Sequence, residues 1–456
     1  MQNYEYYLDV FGQHTAQIYT QICLCFPFSA TTHHQDIIST LHNGLHRLAT
    51  AFPWTSGKII KGNEGIFKIQ TLSTQPQVVV KDLSSSISMH SLRESDFPIA
   101  SLDEEQLCPV KTQPDGLDVW PVFVVQATFV EGGLLLTCTL QHQVGDMTAL
   151  AQVMHLLNKA CRDEHFTQEE LSIGNVDSRS VVPLLDDAER LVSKEHGTRS
   201  DSSIAPNANL RPKTQEESSS PATSSATLTW ANIAFPTASL AALKAKAMED
   251  VPLGSYISTD DALSAFIWRH MTLAKLPRLE SEENTTFGRT VDMRRHIGLP
   301  LTYAGVAATK ASVTENAHAL ATHKSLGTIA TALRAATNTP ALARDFKMLA
   351  TLRSRATKGR DRPSTSNSSL RLNPTKDVML SSWAKYTEIW SSDFGLGLGK
   401  PENVRRPLFR PAKEGLVYLL PKRPDGEIVA VLCMREEDLS RLKEDKEWMR
   451  WTRWIG

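Results

Sequence analysis

The sequence predicts an α/β protein built as two domains. Three observations carry that reading. At 456 residues the chain is too long for one ordinary hydrophobic core and suits two of roughly 200 residues each. Short, near-continuous apolar runs of the buried-strand type alternate with longer stretches that open on helix caps. Between Ser193 and Ser225 the composition turns to serine, charge and proline, as in Arg211-Pro212-Lys213-Thr214-Gln215-Glu216-Glu217-Ser218-Ser219-Ser220-Pro221, which cannot bury enough apolar surface to fold alone. The expected division is therefore 1–195, a crossover linker 196–225, and 226–456.

In order along the chain, Pro121 to Val130 and Leu134 to Leu140, joined by Glu131-Gly132-Gly133, read as paired strands, and Leu150 to Cys161 as the following helix. Beyond the linker, Ala226 to Phe235 reads as a strand and Thr237 to Glu249 as a helix. A longer helix follows over Thr259 to Leu273, where Ser258 or Thr259 before Asp260 and Asp261 is a start signal. Val378 to Ala384 reads as a strand. Leu416 to Leu420 and Ile428 to Met434 form a hairpin about Pro424-Asp425-Gly426. The last stretch, Glu436 to Trp454, is predicted helical, with Leu439, Leu442, Trp451 and Trp454 as its docking face. The basic run Arg353 to Pro363 reads as a loop.

Composition narrows the function. Hydrophobic residues make up 41% and charged residues 22%, the balance of a globular protein, and a net charge of -1 offers no footprint for nucleic acid. The six cysteines are scattered without metal spacing, several in apolar runs where they serve as small buried hydrophobes. The first residues carry neither a basic nor an apolar signal segment, and no apolar run reaches the length of a membrane span. A cytoplasmic enzyme without metal, membrane or polyanion partner is the expectation, with a monomer as its default state.

The candidate chemistry centres on His142-Gln143-Val144-Gly145-Asp146, directly after the second of the paired strands. A histidine at a strand's end is held by the sheet while its ring stays free at the turn, as a general base requires. If the turn winds helically, Asp146 at i+4 lies on the same face. Among the 14 histidines, His142 alone has an aspartate four residues on; such a pair arises by chance about once in a chain of this composition. A second signature lies far downstream. Asp393-Phe394-Gly395-Leu396-Gly397-Leu398-Gly399-Lys400-Pro401 follows Val378-Met379-Leu380-Ser381-Ser382-Trp383. No Gly-Lys-Ser/Thr follows the glycines, so a phosphate loop is not indicated.

Together these segments resemble the two hallmarks of the BAHD acyltransferases, His-x-x-x-Asp-Gly and Asp-Phe-Gly-Trp-Gly. The stretches Tyr19 to Ile22, Ser258 to Trp268, Val404 to Pro407 and Arg441 to Trp448 are similar to those of fungal trichothecene 3-O-acetyltransferases. Met147 stands where many members carry Gly, and Leu396 replaces the usual Trp. The resemblance implies two chloramphenicol-acetyltransferase-like α/β sandwiches with an active-site channel between them. It also implies an acyl group, acetyl as the expected one, moved from coenzyme A to a hydroxyl of a small fungal metabolite, trichothecene-type at C-3, with no permanently bound cofactor.

The resemblance further implies roles. His142 is the general base, and Asp146 fixes its loop through a salt bridge. Ser381 and Trp383 supply donors for the oxyanion, with Ser381 also facing coenzyme A. Asp393, in a tight turn through Gly395 and Gly397, pairs with Arg294 of Val291-Asp292-Met293-Arg294 as a structural clamp. Ser258 and Thr259 open a helix, where they either cap it or meet the coenzyme's pyrophosphate. The basic run Arg353 to Pro363 is either solvated or a further phosphate contact. Two other classes compete: a ligand-binding relative that has lost catalysis, disfavoured by an intact His142, and a peptide-synthetase condensation domain, disfavoured by Gln141 before the histidine and Met147 after the aspartate.

Overall fold

A computed structural model describes residues 5–28, 32–62, 65–72, 76–185, 226–357 and 372–456. The linker expected at 196–225 and residues 358–363 of the basic run lie outside the described residues.

Two large sheets organise the chain. In the first, of five strands, the order is Asn403–Arg405, Tyr19–Pro27, Gly133–Gln141, Phe123–Val130 and Val79–Asp82, antiparallel except for the last pair. Gly133–Gln141 lies at its centre and is buried throughout, which its sequence Gly-Leu-Leu-Leu-Thr-Cys-Thr-Leu-Gln anticipates. The helices His34–Ala51 and Met147–Cys161 pack together on this sheet. They approach closely because Gly44 has no side chain; a Cβ there would lie 2.1 Å from the Cys161 Sγ. The second sheet has seven strands in the order Ala308–Asn316, Asn284–Asp292, Val378–Ser382, Leu416–Leu419, Ile428–Arg435, Leu228–Phe235 and Arg453–Trp454.

Strand periodicity explains how the halves meet. Along Ile428–Arg435, Ile428, Ala430, Leu432 and Met434 face one core with the helices Thr237–Met248 and Thr259–Lys275. Val429, Val431 and Cys433 point the other way, into a core shared with Leu136, Leu140 and Met154 of the first half. The halves thus bury a common apolar interface. One strand of the second half joins the first sheet: Asn403–Arg405 crosses over to become its edge strand, pairing Val404 with Leu24.

Two local expectations change. Residues 353–357 are not loop but the end of the helix Thr339–Thr357, with the Arg353 guanidinium 5.2 Å from the Phe11 ring. The C-terminal segment is two helices, Glu436–Glu444 and Lys446–Trp451, followed by the short strand Arg453–Trp454. Asp445 causes the break: its carboxylate accepts from the Glu447 and Trp448 amides and from His270 Nδ1 at 2.5 Å. Trp448, fully buried, docks the second helix by stacking on Phe266.

Candidate active site

The central strand Gly133–Gln141 ends where its ladder makes one more bond, from the His142 amide to the Ile18 carbonyl at 2.8 Å. That anchors the histidine backbone while its side chain stays half-buried, lining a channel of about 2290 Å³ between the halves. The ring's Nδ1 lies 3.1 Å from the Gly145 carbonyl oxygen. A carbonyl only accepts, so Nδ1 carries the proton and Nε2 keeps the lone pair.

The loop is not helical, and Asp146 does not share a face with His142. Asp146 has extended backbone and is the N-cap of Met147–Cys161, accepting from the Ala149 amide at 3.2 Å. Its carboxylate forks onto Arg294 at 2.8 and 3.0 Å and accepts from the Ala307 amide at 3.0 Å. Arg294, fully buried, spends its remaining N–H groups on Asp292 and on the Tyr303 and Gly305 carbonyls. Buried and fully satisfied, this ion pair holds the loop; the carboxylates around Arg294 raise its pKa above the usual value although burial opposes them.

The expected clamp between Asp393 and Arg294 is therefore absent. Asp393 instead grips Arg162, at 2.7 and 2.8 Å, just past the end of the helix that Asp146 begins. Beside it the Phe394 amide donates to Asn158 Oδ1 at 2.7 Å, and Gly395 and Gly397 take positive φ values of 62° and 72°, as the tight turn requires. Arg294 was already committed to the nearer carboxylates, and the Asp393 turn lies about 22 Å away along fifteen helical residues. Both signatures thus act on one helix, from opposite ends. Leu396 packs in the shared core and Met147 lines the channel, so both departures from the family pattern are matters of packing.

The opposite wall of the channel carries Ser381, Ser382 and Trp383, at the end of Val378–Ser382. The Trp383 indole N–H donates to Ser381 Oγ at 3.1 Å, so it is not itself available to an oxyanion. What it does is orient Ser381, whose own O–H remains a donor. Ser382 donates to Asp260 at 2.9 Å. Ser258 is the N-cap of Thr259–Lys275 in a reciprocal capping box with Asp261, so its hydroxyl is committed to the helix. Asp261 pairs with Arg289 and Arg334, and Thr259 lines the channel beside it.

Several channel residues were not legible in the sequence. Thr148 lies 2.6 Å from the Tyr386 hydroxyl and donates to Asp292 at 3.2 Å, and Lys385 reaches the same carboxylate at 2.6 Å. Burial works against the Asp292 charge, but Arg294 and Lys385 outweigh it and hold the carboxyl below its ordinary range. Only adjacency in sequence hinted at them, of Thr148 to Asp146, of Asp292 to Arg294, and of Lys385 and Tyr386 to Trp383. Among the described residues no cluster of His, Cys, Asp or Glu could hold a metal ion, and no helix is long and apolar enough to cross a membrane.

Comparison with known proteins gives this geometry its relatives. Residues 18–161 match the trichothecene 3-O-acetyltransferase-like N-terminal domain. Over 99% of its length the chain is 40% identical to an O-acetyltransferase of Cryptosporiopsis sp., covering 98% of that protein. It is also 40% identical, over its full length and 98% of the relative, to the trichothecene 3-O-acetyltransferase of Fusarium sporotrichioides. The crystal structure of the F. sporotrichioides enzyme complexed with coenzyme A and T-2 superposes with a TM-score of 0.84, at 37% identity, covering 99% of this chain and all of that one. With strand-end histidine, buried Asp146–Arg294 pair and two-domain α/β fold all in place, the chain belongs to the trichothecene 3-O-acetyltransferase-like acyltransferases of the BAHD superfamily.

Proposed function

We propose that this acyltransferase moves an acetyl group from acetyl-coenzyme A to a hydroxyl of a fungal secondary metabolite, the C-3 hydroxyl of a trichothecene-type sesquiterpenoid, in a ternary complex. The observation that carries the reading is the fixed histidine: Nδ1 is held by Gly145, so Nε2 is left as a base in a channel whose other wall presents Ser381. The acceptor's O–H gives its proton to His142 Nε2 as the oxygen attacks the thioester carbonyl. The carbonyl's electron pair moves onto oxygen, where the Ser381 hydroxyl, oriented by Trp383, donates to it. Collapse of the tetrahedral species breaks the carbon–sulfur bond, and the departing thiolate takes the proton back from the imidazolium. No covalent enzyme intermediate is needed. Thr259 lines the channel at the helix start, suited to the coenzyme's phosphates.

The acceptor class is drawn from the Fusarium relative; equal identity to the Cryptosporiopsis enzyme supports a second reading, a different fungal alcohol. Incubation with acetyl-coenzyme A and a trichothecene bearing a free C-3 hydroxyl tests the first. Equimolar free thiol and a product heavier by one acetyl group are expected, with neither from the 3-deoxy analogue. Thiol release only with non-trichothecene alcohols would favour the second reading, and no transfer to any alcohol would reject both.

A further inference from the structure

Beyond Trp383 the channel holds an arginine in an unusual condition. Arg406 is 2% exposed, and its guanidinium lies over three rings, at 4.3 Å from the Phe409 centroid, 4.5 Å from Tyr418 and 5.4 Å from Trp383. The rings stabilise the charge by cation–π attraction but accept no N–H bond in its plane. Among the described residues its buried Nε–H has no acceptor and no carboxylate forms an ion pair with it. Its neighbour shows that this is not the rule of the segment: Arg405, pointing to the other side of the strand, donates to the Phe97 and Asp96 carbonyls and to the Asp96 carboxylate. A buried, unanswered guanidinium is costly unless something completes it.

The surroundings favour an anion. Lys413 and Lys422 line the same channel as Arg406, and neither has an ion pair among the described residues. The acids of the channel are engaged elsewhere: Asp146 with Arg294, Asp260 with Arg289 and Ser382, Asp261 with Arg289 and Arg334, Asp292 with Arg294 and Lys385. The site is also joined to the chemistry, because Trp383 holds Ser381 by its N–H edge and the Arg406 guanidinium by its face.

We propose that Arg406 is an oxyanion-binding subsite of the channel, its aromatic cage fixing the guanidinium so that its in-plane N–H groups grip two oxygens of a phosphate or carboxylate on one of the substrates. Forked donation to such a group is what a planar guanidinium does best, and the cage removes the entropy cost of holding it still. Which substrate it serves rests on the acetyl-transfer reading: a phosphate would come from acetyl-coenzyme A, and a carboxylate from an acidic acceptor under the second reading, since a trichothecene carries none.

The test is calorimetric titration of the full-length protein, as wild type, R406Q and R406K, with coenzyme A and with pantetheine, which lacks the phosphates. If the donor supplies the oxyanion, R406Q weakens coenzyme A binding by about 10- to 100-fold and pantetheine binding far less, and R406K recovers part of the loss. If the acceptor supplies it, coenzyme A binding is unchanged and R406Q instead abolishes the preference of turnover for a hydroxy acid over its methyl ester. A folded R406Q that alters neither discrimination overturns the subsite and leaves Arg406 a packing residue. Should R406Q fail to fold, the wild type is titrated with inorganic pyrophosphate: binding that competes with coenzyme A or with the hydroxy acid supports the subsite, and no binding overturns it. A wild type that binds coenzyme A in an Arg406-dependent way yet transfers no acetyl group would sink the proposed activity and leave the subsite standing.

Discussion

Asp146 and Arg294 form a two-pronged ion pair, 2.8 and 3.0 Å, between residues 148 positions apart that belong to different halves of the molecule. The pair fixes the loop of His142 by tying it to the opposite half. Removing one partner strands a buried charge, so Asp146→Asn should cost about 3 to 5 kcal/mol in urea denaturation and lose activity in parallel. In a double-mutant cycle with Arg294→Met the losses should be less than additive. Full stability with activity gone would give Asp146 a chemical role.

Asp393 and Arg162 are partly exposed, and the turn they support keeps its glycines and its Asn158 contact. Arg162→Gln should therefore melt near wild type and retain turnover. A loss as severe as that of Asp146→Asn would show that the far end of the helix governs the loop directly.

His142→Ala should lower turnover by a factor of about 10² to 10⁴ with an unchanged melting curve, because it deletes a proton acceptor and opens no core. Wild-type rates at saturating substrates would exclude His142 as the base.

Ser381→Ala should lower kcat by about 10²-fold, the usual effect of losing one oxyanion donor. Trp383→Phe keeps the ring and removes only the N–H that orients Ser381, so its effect should be smaller, about fivefold to tenfold. Steady-state kinetics of both variants decide the matter: a larger loss in Trp383→Phe would make the indole the direct donor.

Lys275 is fully buried, donating to the Asp377 carbonyl at 3.1 Å, and burial pushes its pKa down to about 8. The unfolded chain, with its lysine near 10.5, then binds more protons than the folded one between those values, so this group makes stability rise from pH 8 to pH 10.5. Lys275→Met should lack that rise, measured as the difference in chemical-denaturation slopes against pH. Parallel slopes would mean that the lysine titrates normally.

The strands, the helix at Thr259 and the histidine loop were legible because each depends on short-range rules: period-two apolar runs, a capping box, a strand end. Arg294 and Asp146 were also named, but the partners were exchanged. Sequence marks a residue as a buried cation without saying which of several distant carboxylates the fold will bring to it. The Trp383 indole looked like an oxyanion donor until its N–H was found on Ser381. Thr148 and Tyr386 gave no local signal because each takes its meaning from the other, 238 positions away, and Arg406 stood in a segment noted only for its resemblance, its cage completed by Trp383 from 23 positions upstream.

The crossing of Asn403–Arg405 into the N-terminal sheet has a bearing on synthesis. When the first half leaves the ribosome, Tyr19–Pro27 presents an unpaired row of amides and carbonyls, and the strand that covers it is still some 380 residues behind, roughly 20 to 75 s at ordinary elongation rates. Through that interval the nascent chain carries a sticky border, exposed to its siblings on the same polysome. Slowing translation after residue 225 should therefore raise the aggregated fraction, and supplying a peptide that spans residues 401–408 should lower it.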